Sequence, residues 1–240
     1  MGAVRVSFVI TGLATGGAEM MLEKLLQRLD RTRFTPEVIS LTSAGDIGSR
    51  IAALGIPVTA LAMCPATVLP GCWRLLRHLR RSRPALVQTW MYHADVLGGC
   101  AARLAGVPVV LWNLRNSDLD AGKTRHTTRW LARLSAVLSR VVPTCIVSCS
   151  VRARDIHVAL GYSADKFSVI PNGFDLARFQ PDAGARQVVR ATLGIPLDAP
   201  LVGLIARVDA QKNHAGFFDA ARRVLDQRPD AHFLLAGTAA

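Results

Sequence analysis

The sequence has 240 residues, half of them apolar and 19% charged, which suits one large domain or one domain plus part of another. No apolar run reaches the roughly 18 to 20 residues that span a bilayer, and the N-terminal run leads into glycines and glutamates rather than a secretory cleavage site, so we expect a cytosolic protein. The formal net charge of +12 indicates an anionic partner, and because no nucleic-acid-binding motif is visible, we favour a phosphorylated small molecule or a membrane surface over nucleic acid.

Short β-rich segments alternate with amphipathic helical segments through most of the chain. The predicted strands are Val4–Ile10, Thr35–Leu41, Pro57–Leu61, Ala85–Thr89, Val109–Trp112, Thr144–Cys149 and Phe167–Ile170. The predicted helices cover about residues 17–29, 46–54, 71–82, 93–105, 123–139 and 151–160. This alternation predicts an α/β fold with a parallel sheet covered by helices on both faces, in which ligands bind beyond the carboxyl ends of the strands.

The pattern changes near residue 171, where Pro171-Asn172-Gly173 indicates a turn. A second unit follows, with helices at about 185–193 and 214–227 and strands at Leu201–Ala206 and His232–Ala236. Since so few elements cannot bury a core alone, we expect an incomplete second domain and a truncated chain. The predicted limits are 1–178 for the first domain, 179–199 for a linker and 200–240 for the start of the second domain.

A glycine-rich loop follows the first predicted strand and contains Gly12, Gly16 and Gly17. The spacing differs from the G-x-G-x-x-G dinucleotide fingerprint, and no acidic residue ends the second strand. The Walker phosphate loop is also weakly supported, because Gly17 is followed by Ala-Glu rather than by Lys-Ser/Thr. Two interpretations stay open: a tight turn that needs glycine for packing, or a loop whose backbone amides approach a ligand at a positive helix end.

Several segments, in order along nearly the whole chain, resemble family 4 glycosyltransferases of the GT-B fold. They read TGGAE at Thr15–Glu19, QTWMYHADVLGGCAARLAGVP at Gln88–Pro108, VIPNGFD at Val169–Asp175 with Phe179 after it, LIARVDAQKNH at Leu204–His214 and LLAGT at Leu234–Thr238. The resemblance implies two Rossmann-like domains facing a cleft, of which the chain holds the amino-terminal domain and the start of the carboxy-terminal one. The segment LWNLRNSD at Leu111–Asp118 is most similar to members that make bacterial surface polysaccharides.

The resemblance also implies a retaining transfer of sugar from a nucleotide diphosphate sugar to a polysaccharide or lipid-linked acceptor, with no cofactor and no metal. Gly16 and Gly17 match the loop whose amides approach the transferring phosphate and sugar. Arg207 and Lys212 match the basic pair that contacts the diphosphate, where cations stabilise the charge that builds on the leaving group. The alternative for the basic pair is a solvated loop. Asn213 stands where the family commonly has glycine, a mild departure.

Other positions match the acceptor side of the family site. His93 matches a histidine near the acceptor and donor sugar, and it is interpreted either as a hydrogen-bonding or positioning group or as a structural residue. Asn172 matches the interdomain junction and is a candidate ligand contact. Many members have a second histidine after the fifth strand; here Arg115 or Asn116 is the candidate for those contacts. Asp95 is expected to interact with free backbone amides at a helix start.

The acidic motif that completes the family's donor site, two glutamates separated by seven residues, has no counterpart in the chain, so we expect the 240 residues alone to be inactive. Asp118 and Asp120 form a D-x-D sequence, which binds metal in another glycosyltransferase fold, but the surrounding pattern does not match that fold. The cysteines lack metal or disulfide spacing and are expected to be buried, reduced thiols: Cys64, Cys72, Cys100, Cys145 and Cys149.

A basic amphipathic helix is predicted at residues 72–83. One face carries Cys72, Leu75, Leu76 and Leu79, and the opposite face carries Arg74, Arg77, His78 and Arg81. The helix either covers the sheet with a solvated charged face or attracts anionic lipid, which would place the protein peripherally on the inner face of a membrane beside a lipid-linked acceptor. The residues assigned to that contact are Arg74, Arg77, Arg80 and Arg81.

We therefore expect a glycosyltransferase. One alternative is a non-catalytic module that binds an acceptor and needs a partner. A second is an NAD-type oxidoreductase, against which the glycine spacing and the missing acidic residue count.

Overall fold

A computed structural model describes residues 2–115, 126–177, 179–209 and 212–237. They divide into two compact units, residues 1–173 and 174–240. The limits 1–178, 179–199 and 200–240 stay a prediction. Among the described helices none is long and apolar enough to cross a bilayer.

The first unit is a seven-stranded parallel sheet in the order β3-β2-β1-β4-β5-β6-β7, which confirms the predicted α/β class. Its strands are β1 (Val4–Ile10), β2 (Phe34–Ser40), β3 (Val58–Ala60), β4 (Leu86–Trp90), β5 (Val109–Leu114), β6 (Cys145–Ser148) and β7 (Phe167–Val169). Its helices are α1 (Gly17–Arg28), α2 (Gly45–Ala53), α3 (Val68–Ser82), α4 (Gly99–Leu104), α5 (His126–Leu138) and α6 (Val151–Ala159).

Two local features differ from the sequence prediction. Helix α3 begins at Val68 rather than near residue 71, because Pro70 lies in the first turn, where its missing N–H breaks no helical hydrogen bond. The predicted helix 93–105 consists of a π-helical turn, Ala94–Gly98, that continues into α4. The sequence period does not distinguish a π turn from an α turn over five residues.

Two hydrophobic clusters cover the two faces of this sheet. Helices α1 and α2 pack on one face through Leu22, Leu26, Ile47 and Ile51. Helices α3, α4 and α5 pack on the other face through Leu75, Leu79, Ala101, Ala102, Ala132 and Ala136. Because central strands are buried on both faces, β1 has five consecutive buried residues, Val6 to Ile10, which include Ser7.

The second unit contains α7 (Ala183–Thr192), β8 (Leu201–Ile205), α8 (His214–Leu225) and β9 (His232–Ala236). Strands β8 and β9 pair in parallel. Among its described residues, Ala221 and Ala231 are the fully buried apolar ones, whereas Ile205 is 85% exposed. The unit thus has the βαβ arrangement expected from the sequence, with little apolar surface buried inside it.

Candidate active site

The direction of the chain connections reverses between β1 and β4. Strand β1 pairs with β2 on one side and with β4 on the other, so the loops that leave β1 and β4 diverge. In parallel sheets this point leaves a crevice beyond the carboxyl ends of the strands, and ligands bind there. The glycine loop follows β1 and His93 follows β4, so the two segments border this crevice.

Gly16 and Gly17 form the N-terminal end of α1. Gly16 is extended, with φ of −161°, a conformation that any residue adopts. A Cβ at Gly17 would have no atom within 4 Å, and one at Gly16 would meet the end of the flexible Glu19 side chain. Neither backbone conformation nor packing requires glycine at position 17, so the packing interpretation does not explain Gly17. The approach is therefore open at Gly17, whereas the flexible Glu19 side chain lies beside Gly16.

His93 stands at the start of the π-helical turn after β4. The preceding Met91 has a left-handed backbone, with φ of 72°, which turns the chain sharply at the strand end. His93 is an exposed residue, but partial burial of its ring lowers its pKa by disfavouring the charged form. The imidazole is therefore neutral near pH 7 and can donate one hydrogen bond and accept another.

Asp95 has a different role from the helix-start contact expected from the sequence. Its carboxyl is fully buried against the sheet, where the Thr89 hydroxyl donates to Oδ1 over 2.5 Å and Oδ2 has no hydrogen-bond partner among the described residues. Burial raises the pKa of Asp95 well above its usual value near 3.8. Asp95 thus bonds back to Thr89 of β4 instead of to the amides of a helix start.

Arg115, Asn172 and Trp90 form a cluster at the same edge of the sheet. The Arg115 guanidinium donates to the Asn172 side-chain oxygen and lies 4.4 Å from the centre of the Trp90 ring. Partial burial lowers the pKa of Arg115, whose charge nevertheless persists at neutral pH. Trp90 was not among the predicted site residues, although a large aromatic residue as the last residue of β4 was a usable signal.

This cluster borders a cavity of about 450 Å³ on the face of the sheet that α1 covers. Lys24, Gln88, Asn113, Arg115 and Asn172 supply polar side chains to it, and much of the remaining wall consists of apolar side chains of α1, β1, β4 and β5. The sequence selected Arg115 and Asn172 separately, and the structure brings these two residues together.

Arg207 and Lys212 belong to the second unit. Both are exposed and lie between the carboxyl end of β8 and the start of α8. Asn213 has a left-handed backbone with φ of 51°, and its side chain accepts a hydrogen bond from the Gly216 N–H at the start of α8. Asparagine tolerates this conformation better than most residues, which explains why it can replace a glycine here.

Asn116, Asp118 and Asp120 lie outside the described residues. Within the described parts of the chain, no group of three or more His, Cys, Asp or Glu residues is placed to hold a metal ion. The five cysteines are free thiols, but Cys64 is exposed and the other four are only partly buried, so the expectation of buried thiols was wrong. Cys64 lies in a loop before α3, outside the strand and helix faces that pack in the core.

Comparison with known proteins places these observations in a family. EpsF of Bacillus subtilis (strain 168), a glycosyltransferase by name, is 28% identical over 249 aligned positions, covering 97% of this chain and 62% of EpsF. An Escherichia coli UDP-Gal:alpha-D-GlcNAc-diphosphoundecaprenol alpha-1,3-galactosyltransferase is 26% identical over 166 positions, covering 68% of this chain and 43% of its own length. The chain thus spans less than two thirds of the length of these relatives.

The crystal structure of Anabaena HepE in complex with UDP-glucose superimposes with a TM-score of 0.81 at 21% identity, covering 98% of this chain and 61% of HepE. This likeness confirms the fold. The model of Glycosyltransferase Family 4 matches residues 15–178, which include Gly16, Gly17, His93, Arg115 and Asn172. The chain belongs to glycosyltransferase family 4.

Proposed function

We propose that this chain supplies the acceptor side, and the beginning of the donor side, of an enzyme that transfers sugar with retention from a nucleotide diphosphate sugar to a polysaccharide or lipid-linked acceptor. The observation that carries the proposal is the crevice between β1 and β4, bordered by Gly16–Gly17 and His93, in a chain of this family. HepE was crystallised with UDP-glucose, and the E. coli relative is named for a lipid-linked acceptor; both support these ligand classes. Family membership argues against an NAD-type oxidoreductase.

Each side chain has a proposed role in this reaction. The amides at Gly16 and Gly17 approach the transferring phosphate and sugar, where the positive end of α1 favours negative charge. Neutral His93 hydrogen-bonds and orients a sugar hydroxyl. Arg207 and Lys212 neutralise the leaving diphosphate, so the proposed reaction needs no metal.

On the acceptor side, Arg115 offers a planar, charged group that Trp90 and Asn172 hold in place. A guanidinium in this position suits a phosphate or the hydroxyls of a glycan. Asn172 contributes through this positioning and as a candidate contact to the ligand itself.

We also propose peripheral contact with the inner face of a membrane through α3. Leu75 and Leu79 on its inward side are buried, and Arg74, Arg77, Arg80 and Arg81 are exposed. The Arg74 and Arg80 guanidinium groups donate to the carbonyls of Leu61 and Leu104, which orients them across the surface. Basic side chains in this arrangement are attracted to anionic lipid.

The test is a transfer assay with the gene product that contains these 240 residues, using UDP-, GDP- and ADP-sugars with polyprenyl diphosphate-linked and water-soluble glycan acceptors. We expect one nucleotide sugar to be consumed and NMR of the product to show retained anomeric configuration. Arg207→Ala and Lys212→Ala should abolish transfer, whereas Arg186→Ala should not.

Calorimetry separates the proposal from a non-catalytic acceptor-binding module. That alternative predicts acceptor binding with no binding of any nucleotide and no sugar transfer, and this combination would refute the proposed function.

A further inference from the structure

The four tryptophans of the chain fall into two classes. Trp90 and Trp112 are fully buried, whereas Trp73 and Trp130 are 58% and 65% exposed. An indole exposed to this extent leaves a large apolar surface in water, and such surfaces in soluble proteins commonly mark contacts with a membrane or a partner. Both exposed indoles lie on helices that cover the same face of the sheet, so a single contact surface would explain the exposure of both.

Trp73 and Trp130 occupy equivalent places in the fold. Helix α3 connects β3 to β4 and α5 connects β5 to β6, so both helices run antiparallel to the strands and begin at their carboxyl ends. Both pack into the same hydrophobic cluster, with α4 between them. Trp73 is the sixth residue of α3 and Trp130 the fifth of α5, roughly 6 to 8 Å from the two helix starts. Both indoles thus lie towards the edge of the sheet that carries the crevice.

The outward side of α5 carries apolar and basic residues at helical spacing. Trp130, Arg133 and Val137 are exposed on it, and Val141 continues the line just after the helix end, at 72% exposed. Ala132, Ser135 and Ala136 on the inward side are buried. On α3, the exposed Leu69 and Trp73 precede the arginines, and the Arg77 guanidinium lies 5.3 Å from the Trp73 ring centre.

The charge around these helices is mainly positive, although His78 of α3 is paired with Glu37 of β2 at 2.9 Å. Between Asp46 and Asp155, the described parts of the chain contain thirteen arginines and one acidic residue, Asp95, which is buried. Asp155, on the neighbouring α6, is paired with Arg154 at 2.8 Å. Among the described residues, the outer surface of α3 and α5 therefore combines apolar side chains with an excess of positive charge, the composition that binds an anionic bilayer surface.

We propose that this surface, the outer faces of α3 and α5, lies on an anionic lipid bilayer with Trp73 and Trp130 inserted at the level of the headgroups. Helix α5 then forms a second lipid contact, beside the arginines of α3. The two indoles tilt the first unit so that the crevice edge faces the bilayer. The inference rests on the proposed function for its purpose, since a lipid-linked acceptor would enter at that edge.

The experiment measures binding of the 240-residue chain to vesicles of phosphatidylcholine with phosphatidylglycerol, and to phosphatidylcholine alone. We expect binding to the anionic vesicles that weakens with salt. The Trp73→Ala/Trp130→Ala variant and the Arg133→Gln/Arg140→Gln variant should each bind roughly tenfold more weakly. The matched controls Met20→Ala/Leu54→Ala and Arg31→Gln/Arg33→Gln, with exposed side chains on other surfaces, should bind like the wild type.

Tryptophan fluorescence tests insertion directly, because Trp90 and Trp112 are buried and Trp73→Phe leaves Trp130 as the exposed indole. Emission should shift to shorter wavelength on anionic vesicles and be quenched by lipids brominated near the headgroup end of the acyl chain. Unchanged emission, or equal vesicle binding by the double tryptophan variant, would overturn the proposal. Binding to polyglutamate or RNA with no binding to vesicles would assign the surface to a macromolecule and overturn it equally.

These outcomes are separate from those of the proposed function, because the vesicle assays contain no sugar donor. A failed vesicle assay together with sugar transfer to a water-soluble acceptor would remove the membrane contact and retain the enzyme. Vesicle binding without sugar transfer to any acceptor would retain the membrane contact and refute the proposed enzyme activity.

Discussion

The hydroxyl of Tyr92 donates a hydrogen bond of 2.6 Å to Nε2 of His157, in a part of the core where Tyr92 is 3% and His157 0% exposed. The direction follows from the other ring nitrogen, since Nδ1 lies 2.6 Å from the Ala153 carbonyl and must carry the proton. Burial lowers the pKa of His157, in agreement with this neutral tautomer. The bond attaches the residue directly before His93 to α6.

Tyr92→Phe should lower the free energy of unfolding by about 1 to 3 kcal/mol, because it leaves Nε2 of His157 buried without a donor. Urea denaturation at pH 7 measures the change. Tyr162→Phe is the matched control, since the buried Tyr162 hydroxyl has no partner at hydrogen-bonding geometry among the described residues, and its removal should cost less. Equal losses from the two variants would contradict the assigned bond.

Asp95→Asn should change how stability depends on pH. The folded pKa of Asp95 is raised, so its contribution to stability is complete below the unfolded pKa near 3.8 and is lost as the pH rises through the folded value. The wild type should therefore lose stability relative to Asp95→Asn between pH 5 and pH 8. Urea midpoints across this range give the comparison, and parallel curves for the two proteins would count against a protonated Asp95.

Gly17→Ala should separate stability from function. The added methyl group meets no atom within 4 Å, and alanine favours a helical first turn, so stability should stay equal or rise by up to about 1 kcal/mol. Sugar transfer by the gene product should fall, on the order of tenfold or more, if ligand approaches this amide closely. Thermal unfolding and initial rates on the same preparation are the two measurements. Full activity in this variant would rule out close approach.

Arg115→Lys should raise KM for the acceptor by roughly tenfold, because lysine keeps the charge but loses the planar group that stacks on Trp90 and bonds Asn172. Steady-state kinetics with acceptor varied at saturating donor measure the effect. Arg31→Lys, an exposed change at the opposite edge of the sheet, is the control and should leave KM unaltered. A change in the KM for the donor alone would contradict this role and assign Arg115 to donor binding.

Much of the fold was predictable because buried parallel strands appear as short continuous apolar runs, whereas the apolar residues of the covering helices recur with the helical period. Strand β1 has the predicted bounds, but β5 extends two residues beyond Trp112, since the polar Asn113 is buried by pairing with Trp90 of β4. Asn113 looked like a loop residue because its burial depends on that neighbouring strand.

The sequence identified individual residues of the candidate site, but it did not show which of them lie together in the fold. Arg115 and Asn172 are 57 positions apart, and Tyr92 and His157 are 65 apart, so no local pattern links either pair. Asp95 shows a related limit: an aspartate near a helix start commonly caps it, yet the donor that Asp95 accepts from is the Thr89 hydroxyl of β4.

The π-helical turn Ala94–Gly98 determines which way His93 faces relative to α4. Such a turn holds one residue more than an α-helical turn. Removing one residue from it would restore regular winding and rotate His93 by about 100° around the helix axis relative to Ala101 and Ala102, whose positions the core holds. A single-residue deletion here would therefore act as a rotation that turns the imidazole away from the crevice.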